Sequence, residues 1–107
     1  MSFDVKVTSK FKREAKRLTR KHRSLKSDLN SVIDSLTQLP TQGTPLGHSC
    51  YKIRLAIASK GRGKSGGARV ITYVHVTDTT VYLLSIYDKS EQSTITDQKL
   101  LELIQDL

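Results

Sequence analysis

Residues 50–87 read CYKIRLAIASKGRGKSGGARVITYVHVTDTTVYLLSIY, and this stretch decides the fold. From Cys50 to Ile57 the chain alternates, with Tyr51, Ile53, Leu55 and Ile57 on one side and Cys50, Lys52, Arg54 and Ala56 on the other. Successive side chains of a strand point to opposite faces, so this period of two predicts a half-buried β-strand. Val70–Val76 and Thr80–Tyr87 are two further runs rich in β-branched and aromatic residues. The short Thr77-Asp78-Thr79 break between them predicts a hairpin. Residues 59–67 (SKGRGKSGG) read as a loop whose glycines permit close backbone approach. Consecutive strands on short connections predict a mainly antiparallel sheet.

The flanks add helices. Phe3, Val5 and Val7 alternate with Asp4, Lys6 and Thr8, a fourth strand. Ser9 is placed to cap a helix whose apolar stripe, Phe11, Ala15 and Leu18, is narrow. Lys21–Ser24 reads as a turn. Leu25, Leu29, Val32, Ile33, Leu36 and Leu39 follow the helical period until Pro40 stops it. Residues 40–49 (PTQGTPLGHS) read as a loop. Residues 88–93 form another, and Thr96 then caps a third helix with Leu100, Leu101, Ile104 and Leu107 as its apolar face. The predicted order is β-α-α-β-β-β-α. This is an α+β fold with a four-stranded, mainly antiparallel sheet and its helices packed on one face, a single domain over residues 1–107.

Hydrophobic residues make up 36% of the chain and charged residues 26%, which excludes both a disordered and a membrane composition. No apolar run approaches the ~20 residues of a membrane helix. The start, MSFDVKVTS, lacks the pattern of a signal peptide. Cys50 is the only cysteine, so no internal disulfide forms and a cytoplasmic protein is expected. The net charge is +8, and it is unevenly placed. Ten Lys/Arg lie in residues 1–26 against Asp4 and Glu14, and six lie in residues 50–69 with no acid at all. Two basic blocks of this kind point to a polyanionic partner, nucleic acid or an acidic protein.

The second block is the candidate site. Lys52 and Arg54 share a strand face and stand ~6.6 Å apart at ~3.3 Å per residue. The opposite face is continuously apolar and belongs to the core. An unpaired buried charge is costly, so the two cations are expected at solvent or a ligand. If the flanking strands pair across the loop, Arg69 joins them, with Ile71, Tyr73 and His75 on its face and Val70, Val74 and Val76 toward the helices. Lys60, Arg62 and Lys64 add three cations from the loop. Such a concave basic surface suits phosphates. The three histidines show no metal-ligand spacing and read as surface or packing residues. Tyr87 closes its strand beside Asp88, Lys89 and Glu91, a place for base stacking or proton transfer.

The stretch CYKIRLAIASKGRGKSGGARVITY, followed by LLSIYDKSEQS, resembles the RelE/ParE toxin superfamily. Within it, the chain is most similar in look to the HigB-like branch of RelE toxins, which carry a KIR strand, a Gly/Lys-rich loop, an Arg-led strand and a Y-x-K-x-E ending. The motif match runs from Cys50 to Ser93, and the β-α-α start and final helix fit the family outline. The resemblance implies the toxin of a type II toxin–antitoxin pair, an enzyme that enters the ribosomal A site and cuts the mRNA there. It implies no metal and no cofactor. The 2′-hydroxyl attacks the adjacent phosphate, and basic residues stabilise the developing charge. The implied partners are a cognate antitoxin protein, mRNA and the ribosome with its RNA, and no membrane.

Carried over by position, Lys52 and Arg54 match the strand cations, Arg69 the Arg that opens the next strand, and Lys89 the basic position after the last strand. The resemblance thus implies that Arg54 and Arg69 stabilise the transition state and that Lys52, Arg62 and Lys64 hold RNA. Lys60, Tyr87 and Lys89 are candidates for proton transfer, with Glu91 orienting them. Two positions depart from the family pattern: Ser90 replaces an expected Arg, and Thr96 an expected catalytic Tyr. Two rival readings stay open on the sequence, a ParE-like gyrase poison and a non-catalytic module that binds RNA or the ribosome.

Overall fold

A computed structural model describes residues 2–60 and 67–107, apart from the Lys60 side chain. Its strands are β1 (Asp4–Val7), β2 (Thr44–Gly47), β3 (Cys50–Leu55), β4 (Ala68–His75) and β5 (Thr80–Asp88). Its helices are α1 (Ser9–Lys21), α2 (Leu25–Leu36) and α3 (Asp97–Gln105), with a single 3-10 turn at Ala58–Lys60. The α+β class holds, and the predicted elements appear in their predicted order with one strand added. The strands form one sheet in the order β1-β5-β4-β3-β2. Three of the four pairings are antiparallel, and β1 runs parallel to β5.

The sheet has five strands rather than four. The extra strand, β2, lies in the Pro/Gly segment read as a loop. Thr44-Pro45-Leu46-Gly47 does not alternate, and its hairpin with β3 turns through His48 and Ser49, both at positive φ (54° and 61°). Hairpin turns of this kind normally announce themselves by Asn-Gly or Asp-Gly, which are absent here. Gly43 precedes β2 at φ 102°, and a Cβ there would stand 2.6 Å from the Lys52 carbonyl oxygen.

The helices occupy both faces rather than one. On the first face, Phe11 and Leu18 of α1 and Leu25, Leu29 and Leu36 of α2 pack on Ile53, Leu55, Val70, Val74, Val81, Leu83 and Ile86. On the second face, Leu100 and Leu103 of α3 pack with Cys50, Ile71, Leu84 and Tyr87. The reason is visible in β4, which is buried over Ala68–Thr72 and carries apolar side chains on both sides, Val70 and Val74 on one and Ile71 on the other. A central strand of that kind needs cover above and below. Leu100 belongs to the buried stripe of α3 as expected, but Leu103 rather than Leu101 is its partner, and Leu101 and Leu107 remain exposed. Val76, expected toward the helices, lies past the end of β4 and is exposed.

Capping follows the side-chain chemistry. Thr8, one residue before the expected Ser9, caps α1 by accepting from the Phe11 N–H at 3.2 Å. Thr96 caps α3 by accepting from the Lys99 N–H at 3.2 Å. Cys50 is buried as a small apolar residue, and burial pushes its thiol up to about 11.

The β4–β5 ladder contains a bulge. Ile71 pairs with Ser85 but Thr72 pairs with Leu83, so Leu84 is an extra residue. Strict alternation would put Tyr87 on the face of Val81 and Leu83. After the bulge, Ile86 takes that face and Tyr87 joins the opposite one.

Gly67 packs directly against the β3 backbone: a Cβ there would stand 2.0 Å from the Leu55 carbonyl oxygen. Its own carbonyl accepts from the Lys89 N–H at 3.1 Å. Gly67→Ala therefore forces β3 and β4 apart. It should lower stability by more than ~2 kcal/mol in urea unfolding, and a midpoint equal to that of the native chain would show that the close approach is not maintained.

Candidate functional site

Arg54 on β3, Arg69 on β4 and Tyr87 on β5 are successive members of one cross-strand row. Arg54 is registered with Arg69, and Arg69 with Tyr87. The β3–β4 half of this row follows the expected pairing. The Tyr87 half exists because of the bulge. Lys52, two pairs further along β3, lies on the same face and is half-buried, opposite Ile71.

The members of the row differ in exposure. Arg54 is exposed, whereas Arg69 is only 3% exposed and Tyr87 4%. Arg69 was expected on an open surface; it lies instead on a face partly covered by α3, and its Nη1 donates to the Ala68 carbonyl at 3.0 Å. The Tyr87 hydroxyl is buried and has no hydrogen-bond partner among the described residues. Burial raises the pKa of this phenol, and the positive charge of Arg69 partly offsets the rise. Tyr87 is thus held in its neutral, proton-bearing form beside a guanidinium.

Two like charges directly opposite on neighbouring strands destabilise a sheet, their Cβ atoms being ~4.5–5.5 Å apart. An anion seated between Arg54 and Arg69 reverses the sign of that interaction. Guanidinium groups match the oxygens of a phosphate in pairs, which a lysine ammonium does not. The row therefore offers a cationic clamp with a hydroxyl donor at one end.

Connection 56–67 leaves from the same end of β3 and β4. Arg62, Lys64 and the side chain of Lys60 lie outside the described residues. The start of the connection is fixed to α2, since the Asp28 carboxylate accepts from the Ala58 N–H at 3.2 Å and from the Ser24 hydroxyl at 2.8 Å. Ser59 N–H donates to Ser24 Oγ at 2.8 Å. These anchors join positions some thirty residues apart and leave no mark in the local sequence.

The segment after β5 is organised toward α1. Glu91 accepts from Arg17 at 2.8 Å and Lys21 at 3.2 Å, and these two cations lower its pKa. Lys89 is exposed. Asp88 is fully buried; its carboxylate accepts from His22 Nε2 at 3.0 Å and from the N–H and hydroxyl of Ser90 at 2.9 and 2.7 Å. Ser90 and Thr96, the two departures from the family pattern, thus hold a buried carboxylate and cap α3. Among the described residues no three His, Cys, Asp or Glu side chains come together as metal ligands, and no helix is long and apolar enough to cross a membrane.

Fold and row together define a small basic α+β protein with a phosphate-compatible clamp on one sheet face. The chain belongs to the RelE toxin family: residues 7–105 match the family described as the RelE toxin of the RelE/RelB toxin–antitoxin system. It is similar to an E. coli RelE toxin carrying two Arg-to-Ala substitutions, solved in the free state. That match has 17% identity and a TM-score of 0.67, over 100% of this chain and 99% of that one. It is also similar to the RelBE2 toxin–antitoxin complex from Mycobacterium tuberculosis, at 21% identity and a TM-score of 0.62, over 82% of this chain and 99% of that one. A third likeness is to the intact E. coli RelBE complex, at 20% identity and a TM-score of 0.52, over 81% and 96%.

Of the four tyrosines, Tyr87 should ionise above the ordinary value of ~10 when phenolate absorbance is followed against pH. Arg69→Met should move this late component further up, and Tyr87→Phe should remove it. The folded state holds this proton more tightly than the unfolded one. Its contribution to stability is therefore intact below pH ~10 and is lost as pH rises through the folded value. A late component that survives Tyr87→Phe would assign it to another residue.

Proposed function

We propose that this chain is a ribosome-dependent mRNA endonuclease, the toxin of a type II pair, restrained by a cognate antitoxin protein. The observation that carries the reading is the registered Arg54–Arg69–Tyr87 row on a RelE toxin fold. RNA presents a 2′-hydroxyl next to each backbone phosphate. Attack by that oxygen, which gives its proton to water, forms a new P–O bond, breaks the bond to the 5′-oxygen, and leaves a cyclic phosphate and, once the leaving oxygen is protonated, a 5′-hydroxyl. Negative charge grows on the phosphoryl oxygens on the way. Fixed donors aimed at that charge lower the barrier most where water is excluded.

Arg54 and Arg69 take the charge-stabilising role, and Lys52 holds the strand beside them. The buried, neutral Tyr87 hydroxyl is the proton donor for the leaving 5′-oxygen, within a site shielded by α3 and β5. Lys89, exposed just beyond Tyr87, remains the second candidate for proton transfer. Lys60, Arg62 and Lys64 reach the substrate from the connection between β3 and β4. Glu91, paired with Arg17 and Lys21, serves α1 rather than the row. No step requires a metal or cofactor. The loop, with Ser90 and Thr96, supports a place in the HigB-like branch. The single free cysteine fits work in the cytoplasm, and the complexes of RelE relatives with antitoxins support a protein partner of that kind.

Primer extension on mRNA in a translating extract tests the reading. The native chain should give codon-level cuts, and the double change of Arg54 and Arg69 to Ala should reduce cutting by 10²-fold or more, roughly the loss of two transition-state donors. Stalled translation on intact mRNA would select the binding-only alternative. DNA damage without mRNA cuts would select a gyrase poison.

A further inference from the structure

His22 and Asp88 form a buried couple that the proposed chemistry does not use. His22 is 7% exposed and Asp88 is 0% exposed, and they stand 66 positions apart in the chain. His22 lies in the corner between α1 and α2. Its N–H donates to the Leu18 carbonyl at 2.8 Å, and its carbonyl accepts from the Leu25 N–H at 3.1 Å. Asp88 is the last residue of β5, next to Tyr87.

We propose that the His22–Asp88 couple is the positioning element of the site, fixing the end of β5 so that Tyr87 faces Arg69. The chemical consequence rests on the nuclease reading; the geometric one does not. A carboxylate inside a protein is unfavourable unless donors surround it. Asp88 has them in His22 Nε2 at 3.0 Å and in the Ser90 N–H and hydroxyl, while Lys21 Nζ approaches to 3.7 Å. Its main-chain carbonyl accepts from the N–H groups of Glu91 at 2.9 Å and Gln92 at 3.1 Å. One residue therefore sets both the end of the strand and the turn that follows.

The bulge makes such a pin necessary. A strand that has taken up one extra residue can shed it, and a slip of one residue turns every side chain to the other face. Slipped at this point, β5 would bring Ile86 opposite Arg69 and turn Tyr87, opposite Ala68, to the face of α1 and α2. The His22 donor in the α1–α2 corner is available to Asp88 only in the register where Tyr87 lies beside Arg69. His22 and Asp88 are positioning residues; neither belongs to the row that would meet the RNA.

Two variants test this. His22→Leu keeps bulk but removes the donor, and His22→Gln restores an N–H donor. In ribosome-programmed mRNA cleavage, His22→Leu should lower the rate at saturating ribosomes about tenfold or more, as small misplacements of reacting groups do. The ribosome concentration for half-maximal rate should stay unchanged. His22→Gln should cut within about threefold of the native rate. Amide hydrogen exchange of the same proteins is the second readout. His22→Leu should lose protection at residues 87–92 while β3 and the first half of β4 keep theirs, and His22→Gln should recover it. A Leu variant with native rate and native protection overturns the proposal. So does a loss of protection throughout the sheet in both variants, which would make the couple a general core contact. If the native protein cuts nothing, the nuclease reading fails, and the exchange pattern alone decides the positioning role.

Discussion

One extra residue in β5 determines what this sheet can do. Without the bulge at Leu84, the alternation that buries Val81 and Leu83 under α1 and α2 would carry Tyr87 to the same side. With it, Ile86 replaces Tyr87 in that core, and the phenol turns to the face of Arg54 and Arg69. The bulge disturbs the ladder locally, and what it gains is a change of face within one strand. The strand before the bulge serves packing, and the strand after it serves the row.

The two-sided core follows from the central strand. β4 buries apolar side chains on both faces, so α1 and α2 close one side and α3 the other. α3 covers Cys50, Ile71 and Leu84, and its cover reaches Tyr87. On the same face Arg69 is buried while its cross-strand partner Arg54 is exposed. A phosphate seated there would touch one guanidinium in a low-dielectric setting, where electrostatic interactions are strongest, and one at the solvent edge. The acids that follow the row are drawn elsewhere: Asp88 to His22 and Ser90, and Glu91 to Arg17 and Lys21. Part of the basic surface of α1 thus serves the fold internally, by holding the segment after β5 in place.

The sequence was legible where the information is local. The alternation of Tyr51, Ile53, Leu55 and Ile57, the apolar period of α2 from Leu25 to Leu36 and the Thr96 cap survive in the structure because each depends on neighbours within a few positions, whereas Leu39, read as the last member of that period, lies past the helix end and is exposed. The Arg54–Arg69 pairing was legible because two regular strands flank one connection. What stayed hidden depends on distant parts of the chain. β2 lacks alternation and turns through two non-glycine residues at positive φ. The side on which α3 packs is fixed by the second face of β4, not by anything in α3 itself. The bulge is invisible in a run such as VYLLSIY, where leucines stand on both faces. The His22–Asp88 contact spans most of the chain, and neither residue carries a pattern pointing to the other.

Ser90 and Thr96, the two positions that depart from the pattern expected of the family, both hold structural contacts. A long cation at position 90 would have the reach to bring charge toward the row. Ser90 does not have it, and its short hydroxyl is instead committed to a buried carboxylate at 2.7 Å. Thr96 likewise has a helix cap to hold. Each of these small side chains satisfies a polar group: Ser90 the Asp88 carboxylate, and Thr96 the Lys99 N–H. In the proposed reaction the charge-stabilising groups are two opposed guanidiniums, one of them buried, beside a phenol whose pKa burial raises. A charge in a dry site does more for a developing anion than one in water, provided it does not move when the anion forms. Arg69 meets that condition to the extent that its strand is fixed, and on one side that strand is fixed by β5, whose own register is set by a bulge and closed by Asp88.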